Sequence, residues 1–460
     1  MARVPVPIVG DAYADDVSGF ANQETINLVP EAAERKGTRT VSKLSRSPGL
    51  LSFGSVGTGT VRGMRTFDDV LYTAADTALY SVASDGTETS LGTITGSGRV
   101  PITNNETQLV VATSTTGWTY TPGSSTFAQI TDADFPGALS LTYLDGYVIA
   151  VVPDSSDYAI SALDDATSWA AADRKTCESA TDGLKVVVAD HGELLCCGGE
   201  TIEVHKNTGA LVFPFERLTT IQRGIASSHS WAQTDNGFFF LGDDGVFYRL
   251  NQYQPVRVST RPIESAIEAE TRTEAFCFSY ARKGHSFVVL TFPSGKTWVY
   301  DAATNLWHRR KSFESNRWRA NAYAYAYSKH LVGDTTSGTV WELHETTYTE
   351  GSDPLVAERK GDFIAADGQW VSMEEFEVIV NTGVGLTTGQ GSAPVMDFAY
   401  SDDGGKTFGD FRQESLGPIG QYGYRVRFQG LGAFNQSRQP WIRVSDPVRL
   451  DIMGAYADLS

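Results

Sequence analysis

The feature that most constrains this chain is a repeat of strand–turn–strand units between about residues 61 and 345. Each unit has a short apolar or aromatic run, a turn of small or polar residues, and a second run that ends in Tyr, Trp or Val. Val70–Gly92 and Leu109–Ile130 are clear examples, and Asp145-Gly146 predicts a tight hairpin in another unit. A period of about 35–45 residues, repeated about six or seven times, is typical of a β-propeller.

Two observations refine this prediction. A row of separate β-sandwich domains would need longer units and linkers, and no Pro/Ser-rich linker interrupts residues 61–345. Within that range, Ser259–Phe276 has helical spacing, with Thr260 as a possible cap and with Ile263 and Ile267 four residues apart. We expect a short helix there, inserted on one face of the propeller.

The segments outside the repeat have a different texture. Residues 1–60 are rich in Gly, Pro and Ser, which predicts a partly extended N-terminal arm or a strand that helps to close the ring. Residues 374–460 alternate apolar and polar side chains, as in a small β-sandwich, and residues 346–373 would be the linker. The predicted fold is therefore all-β: a β-propeller of six or seven blades at residues 61–345, with an N-terminal arm and a C-terminal β-sandwich.

Composition narrows the classes of function. The net charge is −18, with 55 acidic and 37 basic residues, which disfavours a protein that grips DNA and suits a wall past which DNA slides. The sequence has no long apolar run and no apolar leader, so it predicts neither a membrane protein nor a secreted one. The four cysteines have no CxxC spacing and the seven histidines are scattered, so we predict reduced core thiols, no metal site and no cofactor.

The stretch "SDDGGKTF" matches the Asp-box pattern, Ser-x-Asp-x-Gly-x-Thr-aromatic. In such a turn the Ser and Asp side chains bond to the hairpin backbone, Gly adopts a positive φ, and the aromatic ring packs underneath. Asp-boxes occur in sialidases and other glycosidases, but we interpret this one as a structural turn. Its residues are Ser401, Asp403, Gly405, Thr407 and Phe408.

The sequence offers little sign of catalysis. Carboxylates are plentiful, for example Asp164-Asp165, Asp243-Asp244 and Glu374-Glu375, but no spacing marks an acid/base pair for glycoside chemistry. There is no GxSxG elbow and no phosphate-binding GxxxxGK[ST] loop. The protein is therefore predicted not to be an enzyme.

Basic residues mixed with aromatic ones are the remaining candidates for binding. "WVYDAATNLWHRR" reads as two outer strands of a late blade, joined by a turn from Tyr300-Asp301 to Asn305. The basic stretch Trp307–Asn321 that follows could bind single strands or phosphates, or its arginines could pair with this acidic chain or with an acidic partner subunit. The candidate interface residues are Arg309, Arg310, Lys311, Arg317, Arg319, Arg425 and Arg427.

Several stretches resemble, in order, the packaged-DNA stabilization proteins of short-tailed bacteriophages, which are also called head-closure or tail-hub (nozzle) proteins. They run from about residue 20 to the C-terminus, and the individual motifs are loose. The stretches are "NQETINLVPE", "SPGLLSFG", "TVRGMRTFDDVLYTAADTALYSV", "GSGRV", "GGETIEVHKNTG", "IQRGIAS" and "VYDAATNLWHRR". The aromatic C-terminal hairpin with its Asp-box departs from the family pattern.

The resemblance implies a structural virion protein of the phage tail, made in the host bacterial cytoplasm. Such a subunit would form a homo-oligomeric, hexameric ring below the portal and adaptor rings. The ring would close the head, retain the packaged double-stranded DNA and form part of the ejection conduit. Tail needle, tailspike or fibre proteins would be further partners, and the family implies no catalytic residues.

Two alternatives from other classes stay open. One is a carbohydrate-binding or glycan-processing propeller, such as a tail-associated receptor-binding protein. The other is an interaction scaffold inside a cell.

Overall fold

The computed structural model describes residues 2–14, 22–32 and 42–460. Almost all the regular structure in these ranges is β-strand. The one α-helix among them, α1 (Arg261–Glu268), is short, and two 3-10 turns occur at Pro122–Ser124 and Arg272–Glu274. Neither α1 nor these turns is long and apolar enough to cross a bilayer.

The N-terminal segment is built into both domains, so the prediction of an arm at residues 1–60 is wrong for its described residues. Its strands pair with partners hundreds of residues away, because the two ends of the chain meet in the same sheets. Residues 1, 15–21 and 33–41 of the predicted arm lie outside the described residues. The strands are β1 (Ala2–Val6), β2 (Tyr13–Ala14), β3 (Asn22–Ile26), β4 (Leu28–Ala32), β5 (Ser42–Arg46) and β6 (Gly49–Ser55).

The repeat folds into seven blades of four antiparallel strands, which confirms the predicted all-β propeller. The first four blades are β7 (Val61–Phe67), β8 (Val70–Ala75), β9 (Ala78–Val82) and β10 (Glu88–Thr93); β11 (Ile102–Asn104), β12 (Leu109–Ala112), β13 (Gly117–Thr121) and β14 (Thr126–Gln129); β15 (Leu141–Leu144), β16 (Tyr147–Val151), β17 (Asp157–Ala162) and β18 (Asp165–Thr176); and β19 (Leu184–Asp190), β20 (Glu193–Gly198), β21 (Ile202–Asn207) and β22 (Phe215–Ile221).

The last three blades complete the ring. They are β23 (Trp231–Thr234), β24 (Gly237–Leu241), β25 (Phe247–Asn251) and β26 (Gln254–Arg257); β27 (Phe276–Arg282), β28 (His285–Thr291), β29 (Thr297–Asp301) and β30 (Leu306–Arg310); and β31 (Ala320–Ala326), β32 (Lys329–Asp334) and β33 (Thr339–His344) with β6 as the fourth strand. Blade 7 thus takes its outermost strand from the N-terminal segment, where Leu50 lies opposite Leu343.

Apolar clusters between consecutive blades hold the ring together. Each of the seven interfaces has such a cluster, and the one that closes the ring joins Val61 and Leu71 of blade 1 to Ala322 and Leu331 of blade 7. The first strands of neighbouring blades contact one another, as β7 does with β11 and with β31. These first strands therefore surround the central axis of the propeller.

Local sequence explains two of the smaller features. Asp145 and Gly146 both have positive φ and connect β15 to β16 as the whole turn of a two-residue hairpin, a geometry that suits this residue pair. The helix α1 is shorter than the predicted 259–276 because its apolar stripe ends with Ile263 and Ile267, which pack between blades 5 and 6.

The C-terminal domain is a β-sandwich that extends beyond the predicted residues 374–460. The predicted linker at 346–373 is wrong, because this segment contains four short strands and the start of a long one. The strands are β34 (Thr349–Glu350), β35 (Asp353–Pro354), β36 (Ala357–Lys360), β37 (Ile364–Ala365), β38 (Val371–Val380), β39 (Val395–Ser401), β40 (Arg412–Ser415), β41 (Val426–Gln429), β42 (Ala433–Phe434), β43 (Ser437–Val444) and β44 (Asp451–Leu459).

Two sheets form the sandwich. One has the order β4-β5-β44-β38-β41, with β1 and β42 at its margins, and the other has the order β36-β43-β39-β40. The rings of Phe376, Phe398 and Phe428 are stacked in the core between them, with centroids 4.8 and 4.7 Å apart. The second sheet continues through β3 into β30 of blade 6, so that propeller and sandwich share a continuous sheet.

Candidate functional site

The basic stretch after Trp307 lies at the junction between blade 6 and the sandwich. The turn before it has the predicted form: the Tyr300 hydroxyl donates to the Asn305 side chain over 2.7 Å. The ring of Trp307 lies 5.1 Å from that of Tyr300. Because β3 pairs with β30, this strand is not an exposed edge.

Arg309 and Arg310 are buried, which corrects their assignment to an exposed interface. Arg309 Nη1 lies 2.9 Å from the Glu24 carboxylate on β3. The guanidinium of Arg310 is stacked 3.8 Å above the ring of Trp318, and its Nη2 donates to the Pro48 carbonyl over 2.8 Å. These two side chains fasten the N-terminal segment to blade 6 and cannot reach another molecule from their present positions.

Lys311 and Arg319 are also paired within the chain. Lys311 Nζ lies 2.7 Å from the Glu358 carboxylate, and Arg319 lies 2.8 Å from Asp334 and 3.2 Å from Asp353. Both cations therefore connect the end of the propeller to the segment that enters the sandwich.

Arg425 and Arg427 meet carboxylates on β38. Arg425 makes a bidentate pair with Glu377, and Arg427 lies 3.7 Å from Glu375. The hydrogen bonds from Arg425, assisted by Arg3, lower the pKa of the Glu377 carboxyl to about 2 against the effect of its burial. Of the seven candidate interface residues, only Arg317 has no carboxylate partner among the described residues.

The Asp-box forms a self-contained turn at the end of β39. Asp403 accepts hydrogen bonds from the backbone of Lys406 and Thr407, both at 2.9 Å, and from the Ser401 hydroxyl at 2.6 Å. The hydrogen bond from Ser401, together with those from Thr407 and Lys406, holds the pKa of the Asp403 carboxyl well below its usual value. Gly405 has φ of 82° and Phe408 packs edge-on against Trp441. All of these contacts are internal to the sandwich.

A cluster of thiols and imidazole, which the sequence did not predict, lies buried between blades 3 and 4. The ligand atoms of Cys177, Cys196 and His205 all lie within 4.8 Å of one another. His205 Nδ1 accepts from the Tyr158 hydroxyl at 2.9 Å and its Nε2 donates to the Glu203 carboxylate at 2.8 Å. Because both ring nitrogens already have partners, a metal ion here would have to displace Tyr158. Glu203 and His205 are two apart on β21, but no spacing could reveal that Cys177 joins them from blade 3.

The axial channel of the propeller contains two cavities. One, of about 420 Å³, is lined by strands of blades 1 to 5 and includes Arg65 and Gln233. The other, of about 170 Å³, is lined by Arg62, Arg99 and residues of blades 6 and 7. His229 lines both. Neither lining contains an Asp or Glu, which contrasts with the acidic composition of the chain.

The acidic doublets take part in structural contacts. Asp244 lies 2.8 Å from Arg223 and accepts from the Tyr248 hydroxyl at 2.7 Å. Asp165 accepts from both the amide and the hydroxyl of Thr167. These carboxylates serve turns, and their contacts do not support the glycan-processing alternative.

Large apolar side chains are exposed on two loops. Leu211 and Val212 are fully exposed on the loop between β21 and β22 of blade 4. On the sandwich, Ile419 and Tyr422 are exposed by 56% and 77%, next to Leu386 at 41%. Grouped apolar side chains on protein surfaces commonly mark contacts with other proteins.

Comparison with known proteins covers both domains. A family model described as bacteriophage P22 Gp10, β-propeller, matches residues 2–348, and a second, described as bacteriophage P22 Gp10, β-sandwich, matches residues 357–460. No curated protein matches significantly.

Solved structures share only the propeller architecture. The computationally designed Ika8 protein is 12% identical with a TM-score of 0.41, and the alignment covers 70% of this chain and 100% of that one. The Pan2 WD40 domain of Neurospora crassa is 8% identical with a TM-score of 0.45, covering 65% of this chain and 97% of that one. Together the two family models span nearly the whole chain, and the protein belongs to the bacteriophage P22 Gp10 family of phage stabilisation proteins.

Proposed function

We propose that this protein is a structural subunit of a short phage tail, without enzymatic activity. It would assemble as a hexameric ring below the portal and adaptor rings, close the head, retain packaged double-stranded DNA and form part of the ejection conduit. The observation that carries the proposal is the match of both domains to the phage stabilisation family. Tail needle, tailspike or fibre proteins are the further partners.

The charge distribution supports a conduit. The chain has a net charge of −18, and most of the arginines and lysines that the sequence offers for phosphate binding are paired with carboxylates of the same chain. A DNA-binding surface would need cations that are free to replace the counterions of the phosphate backbone. A wall without such cations allows DNA to slide.

The exposed apolar loops are the side chains that assembly would cover. Isolated subunits rarely keep grouped apolar residues in water, and interface cores are enriched in aromatic residues. We assign Leu211-Val212 and the group of Leu386, Ile419 and Tyr422 to contacts between neighbouring subunits of the ring. Their position on blade 4 and on the sandwich gives each subunit two separate apolar contacts, as a head-to-tail ring requires.

The first experiment measures assembly and DNA retention together. Phage particles would be produced with wild-type protein or with Tyr422→Asp, and the fraction of packaged DNA accessible to nuclease would be measured. We expect wild-type particles to protect their DNA and variant particles to lose it. Class-averaged electron micrographs of purified portal–adaptor complexes with added protein should show a sixfold ring for the wild type only.

A matched control is the substitution Thr126→Asp, which adds the same charge at an exposed position on the outermost strand of blade 2. It should leave both DNA protection and ring formation unchanged. Full DNA retention in particles that lack the protein altogether would contradict the proposed function. A ring that forms normally with Tyr422→Asp would contradict only the assignment of this loop to the interface.

A further inference from the structure

The charge distribution within the axial channel is opposite to that of the whole chain. Arg62, Arg65 and Arg99 line its two cavities, and no carboxylate does. Arg99 and Arg317 lie in the loops that precede β11 and β31, the first strands of blades 2 and 7. Because the first strands surround the axis, these loops converge at one end of the channel.

Arg99 and Arg317 share a single neutral acceptor. The side-chain oxygen of Asn321 accepts from Arg99 at 2.9 Å and from Arg317 at 3.2 Å. Both guanidiniums also lie over the ring of Phe276, at 3.3 and 5.4 Å. Neither has a carboxylate within ion-pair distance in the part of the chain that the structure describes. Two cations are thus held together with no anion between them.

The free donors of Arg99 lie beside the cavity. Its Nη2 donates to Asn321, whereas Nε and Nη1 have no acceptor among the described residues. Arg62 differs, because its Nε and both its Nη atoms donate to carbonyl oxygens of Gly98, Asp76 and Thr95. Arg62 is therefore a structural brace, and Arg99 is the residue with unused hydrogen-bonding capacity.

The electrostatic cost of this arrangement is visible in the neighbouring groups. Burial and the nearby Arg317 lower the pKa of Arg99 to about 9, and burial together with Arg99 lowers the pKa of His229 to about 3. His229 is therefore neutral and can donate a hydrogen bond without adding charge. An anion placed beside Arg99 would relieve the repulsion between the two guanidiniums.

We propose that the cavity beside Arg99 binds a small oxyanion of the phosphate class. The planar guanidinium presents two parallel N–H donors that match the oxygens of such an ion. A cavity of about 170 Å³ has room for an ion of this size and excludes a DNA duplex. The site is independent of the proposed tail function, since it lies on the axis of one propeller and needs no second subunit.

The test is a titration of purified full-length protein with inorganic phosphate at low ionic strength, followed by isothermal calorimetry. We expect one site per chain with a Kd of about 1 mM or tighter, and for Arg99→Gln an affinity at least about tenfold weaker. The matched control is Arg174→Gln, which removes an exposed arginine of β18 and should change the affinity by less than about twofold. The absence of saturable binding to the wild type, or equal binding by Arg99→Gln, would overturn the proposal.

A second measurement needs no variant and so remains informative if Arg99→Gln fails to fold. Wild-type crystals grown with selenate would be examined for anomalous scattering. We expect a selenium peak within hydrogen-bond distance of Arg99 Nε or Nη1. An ordered selenate found only on outer surfaces, or none at all, would count against the site.

Discussion

Blades 6 and 7 use the same N-terminal segment in different ways. In blade 7, β6 is the missing fourth strand, and it pairs with β33 from Gly49 to Ser55. In blade 6, β3 is an additional strand that touches β30 in parallel register only at Ile26 and Arg309 and then pairs with β36 of the sandwich. Backbone pairing therefore closes the ring, whereas side chains carry the junction between the domains.

The junction has an unusually dense set of polar side chains. Arg359 on β36 is fully buried and donates to the carbonyls of Ile8 and Asp11 and to the side chains of Gln23 and Thr25. Each of these acceptors belongs to the N-terminal segment. The junction is thus specified by hydrogen bonds that only the folded chain brings together, and the following substitutions separate it from the ring closure.

The largest effect is expected from breaking the ring closure with Leu50→Asp. Leu50 is fully buried between blades 6 and 7, so an unpaired carboxylate there should lower the free energy of unfolding by about 4 kcal/mol. Leu51→Asp is the control, because the next residue of the strand is 44% exposed and should cost about 0.5 kcal/mol or less. Urea unfolding followed by tryptophan fluorescence measures both. Equal losses would show that β6 does not close blade 7 in this register.

The next effect tests the junction through Asn27, which is buried and has φ of 54°. Its side-chain amide donates to the carbonyls of Lys311 and Val356 at 2.9 and 2.8 Å, and its oxygen accepts from the Lys311 amide. Asn27→Ala should cost about 3 kcal/mol, from the lost hydrogen bonds and the strained backbone.

Asn27→Gly separates these two contributions. Glycine loses the same hydrogen bonds but adopts the positive φ freely, so it should be about 1 kcal/mol less destabilising than alanine. If the two variants unfold at the same denaturant concentration, backbone strain at Asn27 is negligible and the prediction fails.

These two sites also show how far sequence reasoning reaches. The blades were predictable because strand and turn alternate locally, as at Asp145-Gly146, and the sandwich was predictable from its period-two pattern. The roles of Leu50 and Asn27 were not, because their partners lie about 300 residues away and nothing local marks the pairing. For the same reason, the sequence could display Arg309 as a basic residue but could not show that Glu24 lies against it.

A smaller effect is expected from Glu24→Gln, which sharpens the electrostatic part of the junction. The Glu24 carboxylate lies 2.9 Å from Arg309 and 2.7 Å from Lys360, one on each domain. Burial alone would raise the pKa of Glu24, but Lys360 and Arg309 outweigh it and the net shift is downward. The substitution should cost about 1–2 kcal/mol at neutral pH.

The pH dependence distinguishes this pair from a general packing effect. A carboxyl whose pKa is lowered on folding stabilises the protein above its unfolded value, near 4.5, and that stabilisation is lost as the pH falls through the lower folded value. The difference between wild type and Glu24→Gln should therefore be constant above about pH 5.5 and shrink below pH 4.5. Glu216→Gln, at an exposed position on β22, should leave unfolding unchanged at every pH. A difference that does not vary with pH would contradict the assignment to charge.

The smallest global effect is expected from Asp403→Asn in the Asp-box, which belongs to neither the closure nor the junction. Asp403 is exposed, and its hydrogen bonds hold only its own turn, so the midpoint of unfolding should stay the same. Hydrogen exchange at the amides of Lys406 and Thr407 should become faster, because these amides donate to the Asp403 carboxylate. Asp410→Asn, an exposed aspartate nearby, should leave exchange at both amides as it is. A shift of the whole unfolding transition by Asp403→Asn would mean that this turn helps to hold the sandwich together, as the N-terminal strands do for the propeller.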